Sequence, residues 1–403
     1  MDKRSVGDLT VFGGCAPLFG ESVHVGRPNI GDRDALLARI GEVLDRRWLT
    51  NNGPLVQELE RRLAEYLGVR HVIAVCNGTV ALELAIRAVG MAGEVIVPSF
   101  TFVATAHALF WQQITPVFCD VDPRTHNLDP TRVEELVTPR TTGIIGVHLW
   151  GRPCEVELLA EIAHRRRLRL LYDAAHAFGC SRGGKMVGCF GDAEVFSFHA
   201  TKFFNTFEGG AIATDDDDLA EKIRLMKNFG FAGYDRVIYI GTNGKMSEVS
   251  AAMGLTSLES LGEVIEANRA NYHAYRAALG GVPGLRMVEY DGTERCNYQY
   301  AVFELDPVRA GLTRDDLVRV LMAENVLARR YFHPGCHRME PYRSYFPHAG
   351  LLLRHTEFLA ERVFALPTGP SVDARTLEGI CSLVRLACEH GPEVGRRLGS
   401  LAP

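Results

Sequence analysis

None of the ten cysteines belongs to a Cys-x-x-Cys pair, and their scatter (15, 76, 119, 154, 180, 189, 296, 336, 381 and 388) offers no zinc-site spacing. No metal is therefore expected, and thiols in apolar runs are expected to pack as small hydrophobes. There is no apolar run of membrane length and no signal-peptide pattern, which predicts a cytoplasmic protein with reduced thiols and no membrane partner. Basic runs are equally scarce: clusters such as Arg165-Arg166-Arg167 and Arg329-Arg330 are short, in a chain of net charge -5. That excludes the electrostatic footprint of a nucleic-acid binder, and the arginine triplet reads as a solvated helix face or helix C-terminus. Internal repeats and low-complexity segments are also missing. What remains is a 403-residue chain, 47% hydrophobic, with enough apolar mass for a large core and two or three domains.

The pattern along the chain supplies an α/β architecture. Residues 1–30 are Gly-rich and aperiodic, and Val25–Ile30 reads as an extended arm. Leu36, Leu37, Ile40 and Leu44 recur at helical spacing within Asp32–Arg46. Trp48–Pro54 is turn-rich. Pro54 then opens a helix with an apolar stripe at Leu55, Leu59, Leu63 and Leu67, closed by Gly68. Strands are predicted at Val72–Val75, Glu94–Pro98, Val117–Val121, Thr142–Leu149 and Leu168–Tyr172, with helices between them. This alternation predicts a mostly parallel sheet flanked by helices, with ligands at the carboxyl ends of the strands. Leu258–Ala278 reads as one long connecting helix. Beyond it, strands at Arg286–Tyr290 and Tyr298–Phe303 and helices at Arg314–Glu324 and Ala374–Cys388 suggest a smaller α+β unit. The expected division is an arm (1–30), a large domain (31–264) and a small C-terminal domain (265–403).

The chemistry gathers at the strand ends. Glu194-Val-Phe-Ser-Phe-His-Ala-Thr-Lys202 runs from a buried strand into a bend, and Glu208-Gly-Gly210 turns back into a second strand ending at Thr214. A lysine held in such a bend can form a Schiff base with an aldehyde. Taken alone, Lys202 reads equally well as a surface loop residue. Asp173, in Asp173-Ala-Ala-His176, follows a buried strand. It could cap the next helix, or accept a hydrogen bond from a protonated ring nitrogen and so keep a pyridine cationic, as pyridoxal phosphate chemistry requires. Asn77-Gly78-Thr79 sits at a strand-to-helix junction, where backbone N–H groups and a hydroxyl suit a phosphate. Phe102 could stack on a flat ring or simply pack in the core.

In this order the four features resemble the DegT/StrS-type sugar-nucleotide aminotransferases, which use pyridoxal phosphate on a fold-type I scaffold. The resemblance extends from Thr50-Asn-Asn-Gly-Pro54 to His333-Pro-Gly-Cys-His337 and is most specific at three places. These are Ser197-Phe-His-Ala-Thr-Lys202 with Glu208-Gly-Gly210, Asp173-Ala-Ala-His176, and Gly241-Thr-Asn-Gly-Lys-Met-Ser-Glu248. It implies that Lys202 carries the cofactor and shuttles a proton, that Asp173 pairs with the pyridine nitrogen and that His176 reaches the ring hydroxyl. It implies further that Phe102 stacks on the ring and that Gly78, Thr79 and Ser197 bind the phosphate. Asn243 resembles an asparagine that reaches a phosphate across a homodimer interface. Gly244 and Lys245 follow it where many relatives carry an aromatic residue and an arginine, and Asn77 stands where serine is common.

The implied reaction moves an amino group from L-glutamate to a nucleotide-linked keto-sugar. A related group of sugar dehydratases has histidine in place of the lysine, so Lys202 favours transfer. His199 and Glu208 match the pattern of relatives that aminate position 4, which points to dTDP-4-keto-6-deoxy-D-glucose as acceptor and to deoxyamino-sugar biosynthesis, as for a glycosylated natural product. Amination at position 3 or of a cyclitol is the alternative within the family. A non-catalytic sensor or scaffold is the alternative outside it, although such a protein has no need of the lysine, the carboxylate and the phosphate cup together. His199 reads as a substrate-side residue or a satisfied buried histidine. Tyr331 and His337 fall in a segment resembling the small-domain wall of the sugar site.

Overall fold

In the computed structural model, which describes residues 3–400, the predicted alternation becomes one seven-stranded sheet. Its strands are β1 (His71–Val75), β2 (Glu94–Pro98), β3 (Thr115–Cys119), β4 (Thr141–Val147), β5 (Arg169–Asp173), β6 (Ala193–Ser197) and β7 (Gly210–Thr214). They lie in the order β1-β7-β6-β5-β4-β2-β3. Only β7 runs against its neighbours, antiparallel to both β1 and β6. The strands are apolar almost throughout because helices cover both faces. β3 lies two residues earlier than its pattern suggests. It pairs in register with β2 from Thr115 to Cys119, and Asp120 turns away to accept N–H bonds from His355 and Thr356.

The flanking helices of this layer are α1 (Arg33–Arg46), α2 (Pro54–Leu67), α3 (Gly78–Val89), α4 (Ala104–Phe110), α5 (Pro130–Glu135), α6 (Val156–Arg166) and α7 (Asp217–Met226). Then come α8 (Glu248–Glu259) and α9 (Leu261–Leu279), which break at Ser260 where one continuous helix was expected. α1 forms as predicted but does not bury the predicted stripe. Leu36 and Val43 face inward, while Leu37 and Leu44 are 49% and 59% exposed. In α2 the buried set is Val56, Leu59, Leu63 and Leu67, so Val56 takes the place expected of Leu55.

The N-terminus of α2 shows how distant sequence fixes local structure. Gly53 has no side chain to cap the helix. The carboxylate of Glu248 instead accepts from Leu55 N–H at 2.9 Å and Val56 N–H at 3.0 Å, itself only 1% exposed. A Cβ on Gly53 would lie 2.5 Å from the Glu248 carboxyl carbon, so glycine is required there. Glu248→Ala leaves two buried donors unpaired. It is expected to cost about 2–4 kcal/mol of stability, read as a lower urea midpoint at unchanged slope.

Beyond α9 a second, antiparallel sheet of β8 (Leu285–Met287), β9 (Ala301–Leu305) and β10 (Val363–Leu366) packs with α10 (Arg314–Ala323) and α11 (Ala374–Glu389). β9 starts three residues later than predicted. Tyr298 takes φ 48°, and residues 297–300 form a loop directed at the first layer. The N-terminal segment read as an arm is docked over much of its length. Val6 and Leu9 are buried in the second core, and Val23–His24 pairs with Val326–Leu327. The N–H groups of Thr10 and Leu18 each donate to buried Glu324 at 2.7 Å. All ten cysteines are free, seven of them buried. Among the described residues no cluster could hold a metal ion, and no helix is long and apolar enough to cross a membrane.

Candidate active site

Lys202 and Asp173 come together beyond the carboxyl ends of β6 and β5. Lys202 sits in the bend between β6 and β7, part-buried, with Nζ 3.3 Å from the Tyr300 hydroxyl. Burial lowers its amine to about 8 from an ordinary 10.5, against the pull of Tyr331 and Asp173. This is not the surface lysine that the bend alone permits. The Tyr300 hydroxyl also lies 3.4 Å from His176 Nε2, so one phenol bridges the lysine and the histidine.

Asp173 ends β5, and only 6% of it is exposed. Oδ2 accepts from the Thr105 hydroxyl at 2.8 Å and Oδ1 from Ala175 N–H at 3.1 Å. Burial nevertheless holds its carboxyl above the usual carboxylate range, with those two bonds and Lys202 opposing. A cationic ring nitrogen is the kind of partner that offsets such a burial penalty. His176, three residues on, is pushed well below its ordinary value, first by burial and then by the Lys202 charge. It is a neutral imidazole.

The phosphate cup of the sequence is a close approach between β6, β7 and the start of α3. A Cβ on Gly78 would lie 2.9 Å from Ser197 Cβ, and one on Gly210 would lie 2.8 Å from Gly78 N. Asn77 accepts from Val80 N–H at 2.8 Å and caps α3, which accounts for a polar residue other than serine being accommodated there. Thr79 is exposed and Ser197 half-buried, leaving both hydroxyls free of the caps. Phe102 is 58% exposed, so core packing is not its place. Among the described residues its one aromatic neighbour is Phe332, at 6.5 Å.

Three sequence candidates fall elsewhere or differently. His199 is exposed, with Nδ1 2.8 Å from the Thr201 hydroxyl and Nε2 3.4 Å from Glu208, so it is not a satisfied buried histidine. His337 is buried, with Nδ1 bonded to Ser99 Oγ at 2.8 Å and Nε2 facing Glu357 at 3.3 Å. Both ring nitrogens are engaged, so His337 ties Ser99, just past β2, to Glu357. Tyr331 does reach the cluster, edge-on to Tyr300 and over Arg329. Asn243 is exposed between α7 and α8, its backbone paired with Asn228 and its side chain outside the Lys202 cluster. Sequence reading missed Tyr300, Thr105 and Trp150. The dense aromatic run Tyr298-Gln299-Tyr300 is the one visible signal, and it reads as an ordinary strand.

A parallel sheet with a desolvated lysine and a buried carboxylate at its strand ends defines an α/β enzyme of the aminotransferase class. Residues 31–385 match the model of the DegT/DnrJ/EryC1/StrS aminotransferase family, and the chain belongs to that family. It is 39% identical over 365 residues to dTDP-4-amino-4,6-dideoxy-D-glucose transaminase from Shigella dysenteriae, covering 90% of this chain and 98% of the relative. It is also 39% identical to GDP-perosamine synthase from Caulobacter vibrioides, over 80% of this chain and 86% of that one. Among solved structures, DesI in the presence of its TDP-sugar product superposes with a TM-score of 0.94 at 50% identity, spanning 98% of this chain and 100% of DesI. The protein is an aminotransferase, and membership of this family implies dependence on pyridoxal phosphate.

Proposed function

We propose that this chain transfers an amino group from L-glutamate to dTDP-4-keto-6-deoxy-D-glucose, giving dTDP-4-amino-4,6-dideoxy-D-glucose. The observation that carries the chemistry is the Lys202–Tyr300–His176 chain facing the buried Asp173 carboxylate. The choice of sugar rests on the Shigella relative, whose name carries the 4-amino sugar, and on the TDP-sugar product of DesI. The GDP-linked relative keeps the nucleotide carrier part of the proposal.

The residues fit pyridoxal phosphate. Lys202 would hold its aldehyde carbon, Asp173 its ring nitrogen and His176 its ring hydroxyl. Phe102 would cover one ring face. Gly78, Thr79 and Ser197 would take the phosphate, where a Cβ at position 78 or 210 would close the cradle. When bound, the cofactor supplies an electron sink for the carbanion formed as a proton leaves the amino donor. The chain does the rest. Lys202 Nζ, whose value of about 8 leaves part of the amine neutral at physiological pH, would take that proton and return it two bonds away, a 1,3-shift. The Tyr300 hydroxyl, 3.3 Å from Nζ, would steady the amine as it does so. His199, Glu208 and Tyr331 would face the sugar.

Residues 31–264 would act as the cofactor domain and 265–403 as a small domain closing the substrate side. A second copy would complete the site through Asn243. The uncovered α1 face, with Leu37, Leu44, Trp48 and Leu49 each about half exposed, supports such a partner. The test is the reverse half-reaction on protein loaded with pyridoxal phosphate. A dTDP-linked 4-amino-4,6-dideoxyglucose should convert the cofactor absorbance to the pyridoxamine form, while the 3-amino isomer should not. Conversion by the 3-amino sugar alone would overturn the regiochemistry and keep the reaction class.

A further inference from the structure

Trp150 follows β4, is wholly buried and takes left-handed backbone angles, φ 63° and ψ 8°. A bulky residue stays in that region only where its surroundings over-determine it. Here they do. Indole Nε1–H donates to His126 Nδ1 at 3.1 Å, and the Tyr290 hydroxyl donates to the Trp150 carbonyl at 3.1 Å. The indole stacks on Phe332 at 5.5 Å and on His176 at 5.8 Å.

The consequence lies in the backbone. Trp150 N–H donates to His176 Nδ1 at 3.3 Å. An amide N–H only donates, so Nδ1 is bare and the single proton of the neutral ring sits on Nε2, which faces Tyr300. His126 is fixed by the same reasoning. Its Nδ1 receives the indole bond, and its Nε2–H points at Glu304 Oε1, 2.9 Å away on β9, where Arg286 pairs with the same carboxylate. A buried chain of donors thus runs from the second sheet to the imidazole of the site.

We propose that Trp150 is a positioning residue: the Glu304–His126 pair locks its indole, and its backbone N–H thereby fixes the His176 proton on Nε2. A donor at Nε2 toward the site is what a ring hydroxylate needs. That consequence rests on the cofactor reading above, whereas the tautomer does not. With the anchor lost, the N–H at position 150 drifts and the two ring nitrogens of His176 compete for the proton.

The experiment uses full-length protein labelled with 15N-histidine, with and without pyridoxal phosphate. The His176 signals are assigned by their loss in His176→Gln. Wild type should show the Nε2–H tautomer in both states. His126→Phe should show a mixture of tautomers and roughly tenfold slower turnover at little-changed KM. His126→Gln, whose amide oxygen can accept the indole N–H, should restore both. Glycine adopts the left-handed conformation unaided, so Trp150→Gly should keep the Nε2–H tautomer despite losing the indole. An Nδ1–H tautomer in wild type, an unchanged tautomer in His126→Phe or a scrambled one in Trp150→Gly would overturn the proposal. Cofactor binding is followed separately by absorbance. Its absence would sink the cofactor reading and leave the tautomer result standing.

Discussion

Lys202→Ala is expected to abolish amino transfer, by at least about 10⁴-fold, while the protein stays folded. The size follows from two losses at once, the anchoring amine and the group that moves the proton. The fold should not suffer, because the side chain is a burial liability. Its folded value, about 8, lies below the ordinary 10.5, so folding disfavours the charged amine. The stability penalty is absent above 10.5, grows as pH falls through this range and is fully present below 8. At neutral pH the apo variant should therefore melt no lower than wild type. The same value predicts a pH profile. Reconstitution with pyridoxal phosphate should speed up as pH rises to about 8 and then level off, where an exposed lysine would keep accelerating to beyond 10. Near-wild-type turnover in the variant, or a profile still rising at pH 10, would remove Lys202 from the centre of the site.

Asp173→Asn should lower turnover by about 10²–10⁴-fold, the rate equivalent of roughly 3–5 kcal/mol for breaking a buried charge pair. The amide fills the same space but carries no charge to hold a ring nitrogen cationic. Its Oδ1 can still accept from Ala175 N–H while its NH2 donates to Thr105 Oγ1, a hydroxyl that accepts as well as donates, so the local bonds survive. The stability sign separates this from simple damage. Burial raises the folded carboxyl above its ordinary 3.8. Its contribution is thus present below that value and lost as pH rises through the folded one, so at neutral pH the ionised form costs stability. The apo variant should lose its activity with its neutral-pH melting temperature within a few degrees of wild type. A variant that unfolds instead would make Asp173 a structural residue.

The α/β layer was legible because β1, β2, β4, β5 and β6 are apolar runs ending in polar turns, and a doubly covered parallel sheet demands that composition. Lys202, Asp173, Gly78 and Phe102 could be read as candidates because each lies at or shortly beyond a strand end. Other expectations gave way to contacts that no local window contains. The α1 stripe is periodic, yet half of it faces outward, since periodicity marks an apolar face without saying what covers it. The bonds of His337 to Ser99 and Glu357 likewise span segments that no local window joins. Tyr300 was hidden in a strand-like run that the fold turns into a loop.

Sequence alone thus determined the order of elements, the strand ends where the candidate residues sit and the residue types able to serve as a Schiff-base lysine and a ring-nitrogen carboxylate. These depend on local pattern and on chemical capacity, both carried by the residues themselves. Tertiary structure decided the rest: that Lys202 is desolvated enough to lose its proton near pH 8, that Tyr300 bridges it to His176, and that Trp150 dictates which nitrogen of His176 holds the proton. Burial and hydrogen-bond partnership here arise between segments as many as 178 residues apart, and only the folded chain brings them together.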